Sequence, residues 1–466
     1  MTFSNDANKF VLTPIERMIA KIDKIRNNPL AALSIGDEEQ QKEQKDQVAP
    51  IDPVDDPDAS FFTKLKGRFR RCIGRGSNAA PKQAPEPMET VVLEKTIIKI
   101  GSLLALGFGE AGAEIIGQNM KGESSSTLNA MIPGRRVEAI FGFCDIRNFS
   151  DTTEVLQDQV MLFVNRIASV VHSCINEFFG SPNKNIGNAF LLVWRISEHS
   201  AKKQQRLADM ALIALTKIVS QISRSQMLSE YRHHPRLIKR IPNYRVRMGF
   251  GLHSGWAIEG AIGSEFKIDA SYLSPNVNMA ARLEASTKLY SCQMLISEAF
   301  IKLLSESFRD ECRQIDCVRM EGTRMHFRLY TLDLDDIALT VDDPSIGAQM
   351  ASAKTMKHKH RFECQKRKAE RWSDDFDLHD FFQHEQDVQV MRRRFTTEFF
   401  CRFNMAYLNY EAGEWAVAMD MLEVTRFILS TEDGPSRALL QYMMKCEGVA
   451  PKSWPGYRVI TERCVI

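Results

Sequence analysis

The sequence has no Cys-x-x-Cys pair. Its ten cysteines stand singly along 466 residues, which excludes a zinc-ribbon arrangement and points to reduced thiols rather than a disulfide framework. It has almost no net charge: 61 Lys+Arg against 59 Asp+Glu leave +2. That is too little for the broad basic surface by which nucleic-acid binders grip a backbone, so no nucleic-acid partner is expected. No apolar run approaches the roughly 20 residues of a membrane-spanning helix; the best candidate, 97–116, is broken by Lys99, Glu110 and Glu114. The N-terminus carries Asp6, Lys9 and Glu16 and lacks a signal-peptide core. These absences make a cytoplasmic location the expectation. What is present, 44% hydrophobic and 26% charged residues, is the composition of a folded chain, and the length implies two or three units.

Composition divides the chain. Residues 1–90 are expected to be disordered or linker, because Asp37–Gln47, Pro50–Pro57 and Gly74–Pro87 are too polar or proline-rich to bury an apolar surface. Within them Phe61–Arg71 is basic with interleaved aromatics. That pattern suits either a solvated linker or peripheral contact with an anionic membrane face. Residues 91–130 read as a helical connector: Leu93, Ile97, Ile100, Leu103, Leu104 and Leu106 recur at helical spacing, and Gly107-Phe108-Gly109 reads as a helix end.

Residues 131–335 alternate strand and helix signals. Strands are expected at Val137–Cys144 and Tyr244–Leu252, with Gly255–Gly263 as the hairpin partner of the latter. Helices are expected at Val160–Phe179, Leu207–Ile222 and Pro275–Leu289, the last capped by Ser274. That order is the order of an α+β, ferredoxin-like sheet, antiparallel-rich with helices on one face. Residues 336–375 read as a linker. Residues 376–466 read as a helical tail holding one tetratricopeptide-like hairpin around Tyr407, Tyr410, Gly413, Trp415, Ala416 and Ala418, with Asp433-Gly434-Pro435-Ser436 as a later turn and N-cap.

Three clusters carry chemistry. Phe143-Cys144-Asp145-Ile146-Arg147-Asn148-Phe149-Ser150 ends a strand with a carboxylate before a loop of backbone amides, which suits a divalent cation and a polyphosphate. Lys184-Asn185-Ile186-Gly187-Asn188 precedes an apolar run and contains a Gly-Asn turn. Asn278 and Arg282 stand four apart on one helix face, an amide and a guanidinium able to hold ribose and phosphate oxygens. Taken singly each has an ordinary structural reading; their order along the chain is the informative feature.

In that order the sequence resembles the class III nucleotidyl cyclases, the family of adenylate and guanylate cyclase catalytic domains. The resemblance spans about 135–335; its most specific motif is Val277-Asn278-Met279-Ala280-Ala281-Arg282-Leu283-Glu284, supported by Gly249–Gly255 and Glu259–Gly263. It implies a dimer with sites at the subunit interface, and ATP converted to cyclic AMP and pyrophosphate by attack of the ribose 3′-hydroxyl on the α-phosphate. It implies two Mg²⁺ or Mn²⁺ ions held by Asp145, the Ile146 carbonyl and position 188. Lys184 and Ser271 fall on the base-reading positions, and Lys184 can donate to adenine N1. Asn278 would orient the ribose, Arg282 would stabilise charge on the α-phosphate, and Phe149 and Ser150 fall in the phosphate loop.

Two positions depart from the family pattern. Asn188 stands where an aspartate is expected and lacks the charge a hard cation favours. Met320-Glu321-Gly322 places an acid where a lysine is common, with Arg319 and Arg324 nearby. Three readings of the whole follow: a working homodimeric adenylate cyclase with a weakened metal site, one half of a heterodimer, and a non-catalytic module binding nucleotide or partners.

Overall fold

The computed structural model describes residues 13–28, 31–32, 34–36, 89–121, 133–264, 267–342 and 353–461. The basic aromatic stretch Phe61–Arg71 and the linker compositions beside it lie outside the described residues. The chain divides into two compact units, residues 1–131 with 263–269, and residues 132–262 with 270–466.

The first unit holds α1 (Thr13–Asn27) and α2 (Glu89–Lys121). A helix inside the stretch expected as linker is a correction, and its cause is long-range. Ile25, Ala32 and Ile35 bury themselves against Ile98, and Lys21 pairs with Glu94. Of the apolar stripe expected on α2, Ile97 joins this contact, whereas Leu93, Ile100, Leu103 and Leu106 are exposed. Gly109, at φ 62° and ψ −160°, breaks the helical path near the expected end, and helical turns resume beyond it.

From residue 135 the chain runs β1 (Arg135–Ile146), α3 (Phe149–Leu156), α4 (Val160–Glu177), β2 (Ser181–Ile186), β3 (Ala189–Arg195), α5 (Ala201–Arg224), β4 (Met248–Ser264), β5 (Lys267–Leu273) and α6 (Pro275–Tyr290). Then follow β6 (Met294–Ser297), β7 (Arg313–Met320), β8 (Phe327–Thr331), α7 (Ala353–Trp372), α8 (Thr397–Ala412), α9 (Trp415–Phe427), α10 (Gly434–Lys445) and β9 (Arg458–Ile460). Strand order is β2-β3-β1-β4-β6-β8-β7-β9, with β5 paired to β4. Apart from the parallel pairs β4–β6 and β7–β9, every registered pair is antiparallel. The class is the expected α+β, antiparallel-rich one.

Side-chain alternation sets what covers each face. Phe250, Leu252, Met294 and Ile296 share a core with α4 and α5. The alternate positions turn to α6: a Cβ on Gly251 would lie 2.2 Å from the Ala280 carbonyl oxygen, and Leu283 packs with Leu295. Helices therefore cover both faces rather than one, because Met294-Leu295-Ile296 is buried throughout and needs partners on each side.

Tyr244–Leu252 and Gly255–Gly263 were expected as two strands of a hairpin. They form instead one strand, β4, whose residues Met248–Glu259 pair in unbroken register with β1, and the returning strand is β5. Gly255 has no positive φ to turn the chain. It is small because the Asn276 carboxamide lies over it.

The segment 336–375, expected as linker, contains α7. Glu177 holds its last turns through Arg371 at 2.7 Å and Arg367 at 3.1 Å. The tail does contain the helical hairpin, α8 and α9 about Gly413 at φ 89°, with Tyr410 stacked on Trp415. Its neighbours are α10 and the sheet itself. Phe403, Tyr407, Trp415 and Leu439 share one core with Leu283, Leu295, Ile315 and Val318. Buried Arg313 joins Asp333 at 2.7 Å and Asp433 at 2.9 Å; Asp433 also caps α10 through the Ser436 N–H.

Candidate functional site

Asp145 is the next-to-last residue of β1, opposite Ala189 on β3 and Gly249 on β4. The β2–β3 hairpin, closed by Gly187 at φ 63° and Asn188, brings position 188 against it. The Asn188 amide nitrogen donates to the Asp145 carboxylate, and the Ile146 N–H donates to the Asn188 carbonyl at 3.2 Å. Two residues far apart in sequence but matched to the cation by resemblance are thus side-chain neighbours.

The other side of Asp145 is cationic. Arg147 lies 3.0 Å from Glu284 and donates to the Thr287 hydroxyl, both on α6. Gly249 makes room for this pair; a Cβ there would overlap the guanidinium and the Glu284 carboxylate. Burial raises the Asp145 pKa, opposed by Arg147, Lys288, the Ile146 N–H and Asn188. Burial also pushes Glu284 up to about 7, against the pull of Arg147 and with a push from Asp145. The Arg147–Glu284 contact is an ion pair without hydrogen-bond alignment, and it does not repay the desolvation of the carboxylate. Arg147, Glu284 and Thr287 were not singled out as site residues from the sequence. The available signal was Arg147 two places after Asp145 and Glu284 closing the Asn278–Glu284 motif.

Helix α6 is fixed at its start. The Ser274 hydroxyl caps Asn276 N–H and donates to the Trp256 carbonyl at 2.6 Å. The Asn276 amide reaches the same carbonyl, and its oxygen meets His253, whose other ring nitrogen meets Ser297. Ala280, Leu283 and Glu284 point inward, leaving Asn278 exposed and Arg282 half-buried on the outer side. Arg282 donates to the Glu321 carbonyl at 2.7 Å. Glu321 itself is exposed, and its backbone oxygen is one group that it presents to Arg282.

Lys184 lies half-buried on β2 beside a register shift, and Ser271 is buried on β5; β3, β1 and β4 separate their strands in the sheet order. Phe149 packs on the α4–α5 core and Ser150 is exposed, both in the first turn of α3 after Asn148 in the left-handed region. First-turn N–H groups of a helix lack intrahelical acceptors and suit phosphate oxygens.

The donor set around Asp145 is one carboxylate, one amide able to present oxygen and backbone carbonyls. These are hard oxygen ligands that fit Mg²⁺ or Mn²⁺ when a polyphosphate supplies the remaining charge. Among the described residues no group of three His, Cys, Asp or Glu side chains gathers as a metal cluster. Nor is any described helix long and apolar enough to cross a membrane.

Residues 136–333 match the family model described as the adenylate and guanylate cyclase catalytic domain, and residues 1–121 match that of the RasGEFs all helical domain. An adenylate cyclase of Anabaena cylindrica is 28% identical over 193 residues, covering 40% of this chain and 35% of that protein. The terminal-differentiation-specific adenylate cyclase of Dictyostelium discoideum is 28% identical over 194 residues, 40% of this chain and 8% of the relative. The chain thus spans well under two thirds of the length of these relatives. A bacterial light-regulated adenylyl cyclase structure aligns with a TM-score of 0.40 at 24% identity, over 54% of this chain and 66% of that one. Residues 136–333, which hold Asp145, Asn278 and Arg282, thus match the catalytic-domain family of the class III nucleotidyl cyclases.

Proposed function

We propose that the chain converts ATP to 3′,5′-cyclic AMP and pyrophosphate, as part of a dimer. The observation that carries this reading is the meeting of Asp145 and Asn188 at the β1 terminus, with Asn278 and Arg282 presented on one side of α6. Asp145, the Ile146 carbonyl and Asn188 would hold a divalent cation. Bound there, it supplies positive charge to the phosphate oxygens and acidifies the 3′-hydroxyl. The remaining roles belong to the chain. Lys184 donates to adenine N1 and Ser271 completes base reading. Asn278 fixes the ribose so that its 3′-oxygen faces the α-phosphorus, and Arg282 takes up the charge that builds on the α-phosphoryl oxygens. The first-turn amides of Phe149 and Ser150 receive terminal phosphate oxygens.

A second reading rests on one observation. By the family resemblance Lys184, Ser271, Asn278 and Arg282 would serve the cation site of a partner subunit, and all four are present, whereas this chain's own candidate cation site has a neutral Asn188. A heterodimer with a subunit bearing both aspartates would use the complete half. Purified full chain should form cyclic AMP from ATP faster than cyclic GMP from GTP, and Lys184→Glu should lower the ATP rate at least tenfold. An unchanged ATP rate in Lys184→Glu would remove the base-reading argument. Turnover that appears only on mixing with a subunit carrying both aspartates would establish the heterodimer.

A further inference from the structure

The tail reaches the α6 arginine through backbone hydrogen bonds. Strand β9 adds in parallel to the edge of β7, pairing Val318 with Arg458, Arg319 with Val459 and Met320 with Ile460. The ladder is extended by a further bond, from the Glu321 N–H to the Ile460 carbonyl at 3.0 Å. Glu321 is the second residue of a tight turn, closed by Thr323 N–H on the Met320 carbonyl at 3.0 Å and by Gly322 at φ 78°. The carbonyl of that same Glu321 accepts from Arg282. One peptide-linked residue therefore touches the tail on its N–H side and the guanidinium on its C=O side.

β9 is itself firmly held. Arg458 is buried, 2.7 Å from Asp316, and lies over the rings of Tyr290 and Tyr442. Tyr290, the last residue of α6, donates to the same Asp316 at 2.6 Å. The tail thus restrains the helix of Arg282 at its C-terminus and the guanidinium at its tip.

We propose that β9 is a positioning strand for Arg282: docking of the C-terminal tail sets the β7–β8 turn, and the turn aims the guanidinium. The inference rests on the cyclase reading for what the guanidinium is aimed at, and on the structure alone for the link. It makes the tail a place where an event remote from the nucleotide changes turnover. Arg282 remains the group that meets the substrate; Glu321 and Ile460 act through it.

Glu321→Pro tests the link. Proline at the second position of a turn whose third residue is a positive-φ glycine is favourable, and the extended residue before it is compatible. The substitution deletes the N–H that binds Ile460 together with the side-chain carboxylate, and keeps the carbonyl that binds Arg282. Glu321→Ala loses the same side-chain charge but keeps the N–H, so the difference between the two variants reports the hydrogen bond. In the full chain with ATP and Mn²⁺, Glu321→Pro should show a kcat about tenfold below that of Glu321→Ala. KM should agree within about threefold, and the melting temperature within a few degrees. Amide exchange in peptides covering 454–461 and 275–290 should speed up in the proline variant alone. Equal kcat in the two variants while 454–461 exchanges faster would overturn the positioning role, and equal exchange in both would overturn the link itself. Should wild-type chain form no cyclic nucleotide, the cyclase reading fails separately. The link is then judged on the 275–290 exchange, where no change overturns it.

Discussion

At the scale of single residues, the site depends on a few buried charges whose environments differ. Burial raises the Asp145 pKa, and the nearby charges of Arg147 and Lys288 oppose that rise. Asp145→Asn should lower cyclic AMP formation at least a hundredfold while the melting temperature holds or rises; activity within threefold of wild type would remove Asp145 from the cation site. Asp209 on α5 is a purely structural counterpart. It accepts the Ser305 N–H at 2.9 Å, and burial lifts its pKa to about 6. A carboxyl raised above its unfolded value binds its proton more tightly in the folded chain, so stability falls as pH rises from about 4 to about 6. Asp209→Asn keeps the acceptor and removes the charge. Its stability should match wild type near pH 4 and exceed it by on the order of 3 kcal/mol above pH 7. A pH-independent difference in urea melts would contradict this. Asp145, Asn188, Asn278 and Arg282 could be named as candidates from the sequence because their order matches the family pattern. Arg147 and Glu284 were not named, since their pairing needs the α6-to-β4 approach that only the fold supplies.

At the scale of elements, the glycines of β4 are what let α6 lie against the strand. Gly251→Ala would drive a methyl into the Ala280 carbonyl and the Glu284 N–H, both backbone groups that cannot swing aside. Overpacking of this kind costs about 1–3 kcal/mol or more. We expect thermal melts of Gly251→Ala to show at least that loss, together with a reduced kcat; a wild-type melting temperature would mean α6 is not seated as described. Helices were the most readable elements, since α4 and α5 each carry long apolar periodicity and α6 begins with Ser274-Pro275. β4 was misread because Gly255 looks like a turn residue in sequence, whereas it is a floor for Asn276. α1 escaped notice because its buried partner, Ile98, is more than sixty residues away and no local pattern records the contact.

At the scale of the whole molecule, the sheet of residues 135–331 and the tail share buried surface. A three-part description of that stretch was natural from composition, because α8 and α9 look like one repeat and repeats usually pack on one another. Here the hairpin's buried aromatics face β7 and α6 instead. Asp433→Ala removes the α10 cap and leaves Arg313 with one carboxylate fewer in a buried setting. Breaking such a group costs about 3–5 kcal/mol. Urea unfolding of the second unit should stay one transition shifted by that amount; an early separate transition for the tail would contradict a shared core.

We propose that this chain cyclises ATP through a cation site attenuated at Asn188. The direct measurement is cyclic AMP formation by the purified full chain, wild type and Asn188→Asp, as Mg²⁺ and then Mn²⁺ are titrated at saturating ATP. The account predicts a wild-type rate higher with Mn²⁺ than with Mg²⁺, and an Asn188→Asp variant that reaches half-maximal rate at least tenfold lower in Mg²⁺. Titrations that coincide for the two proteins, or no cyclic AMP from either at any metal concentration, would contradict it.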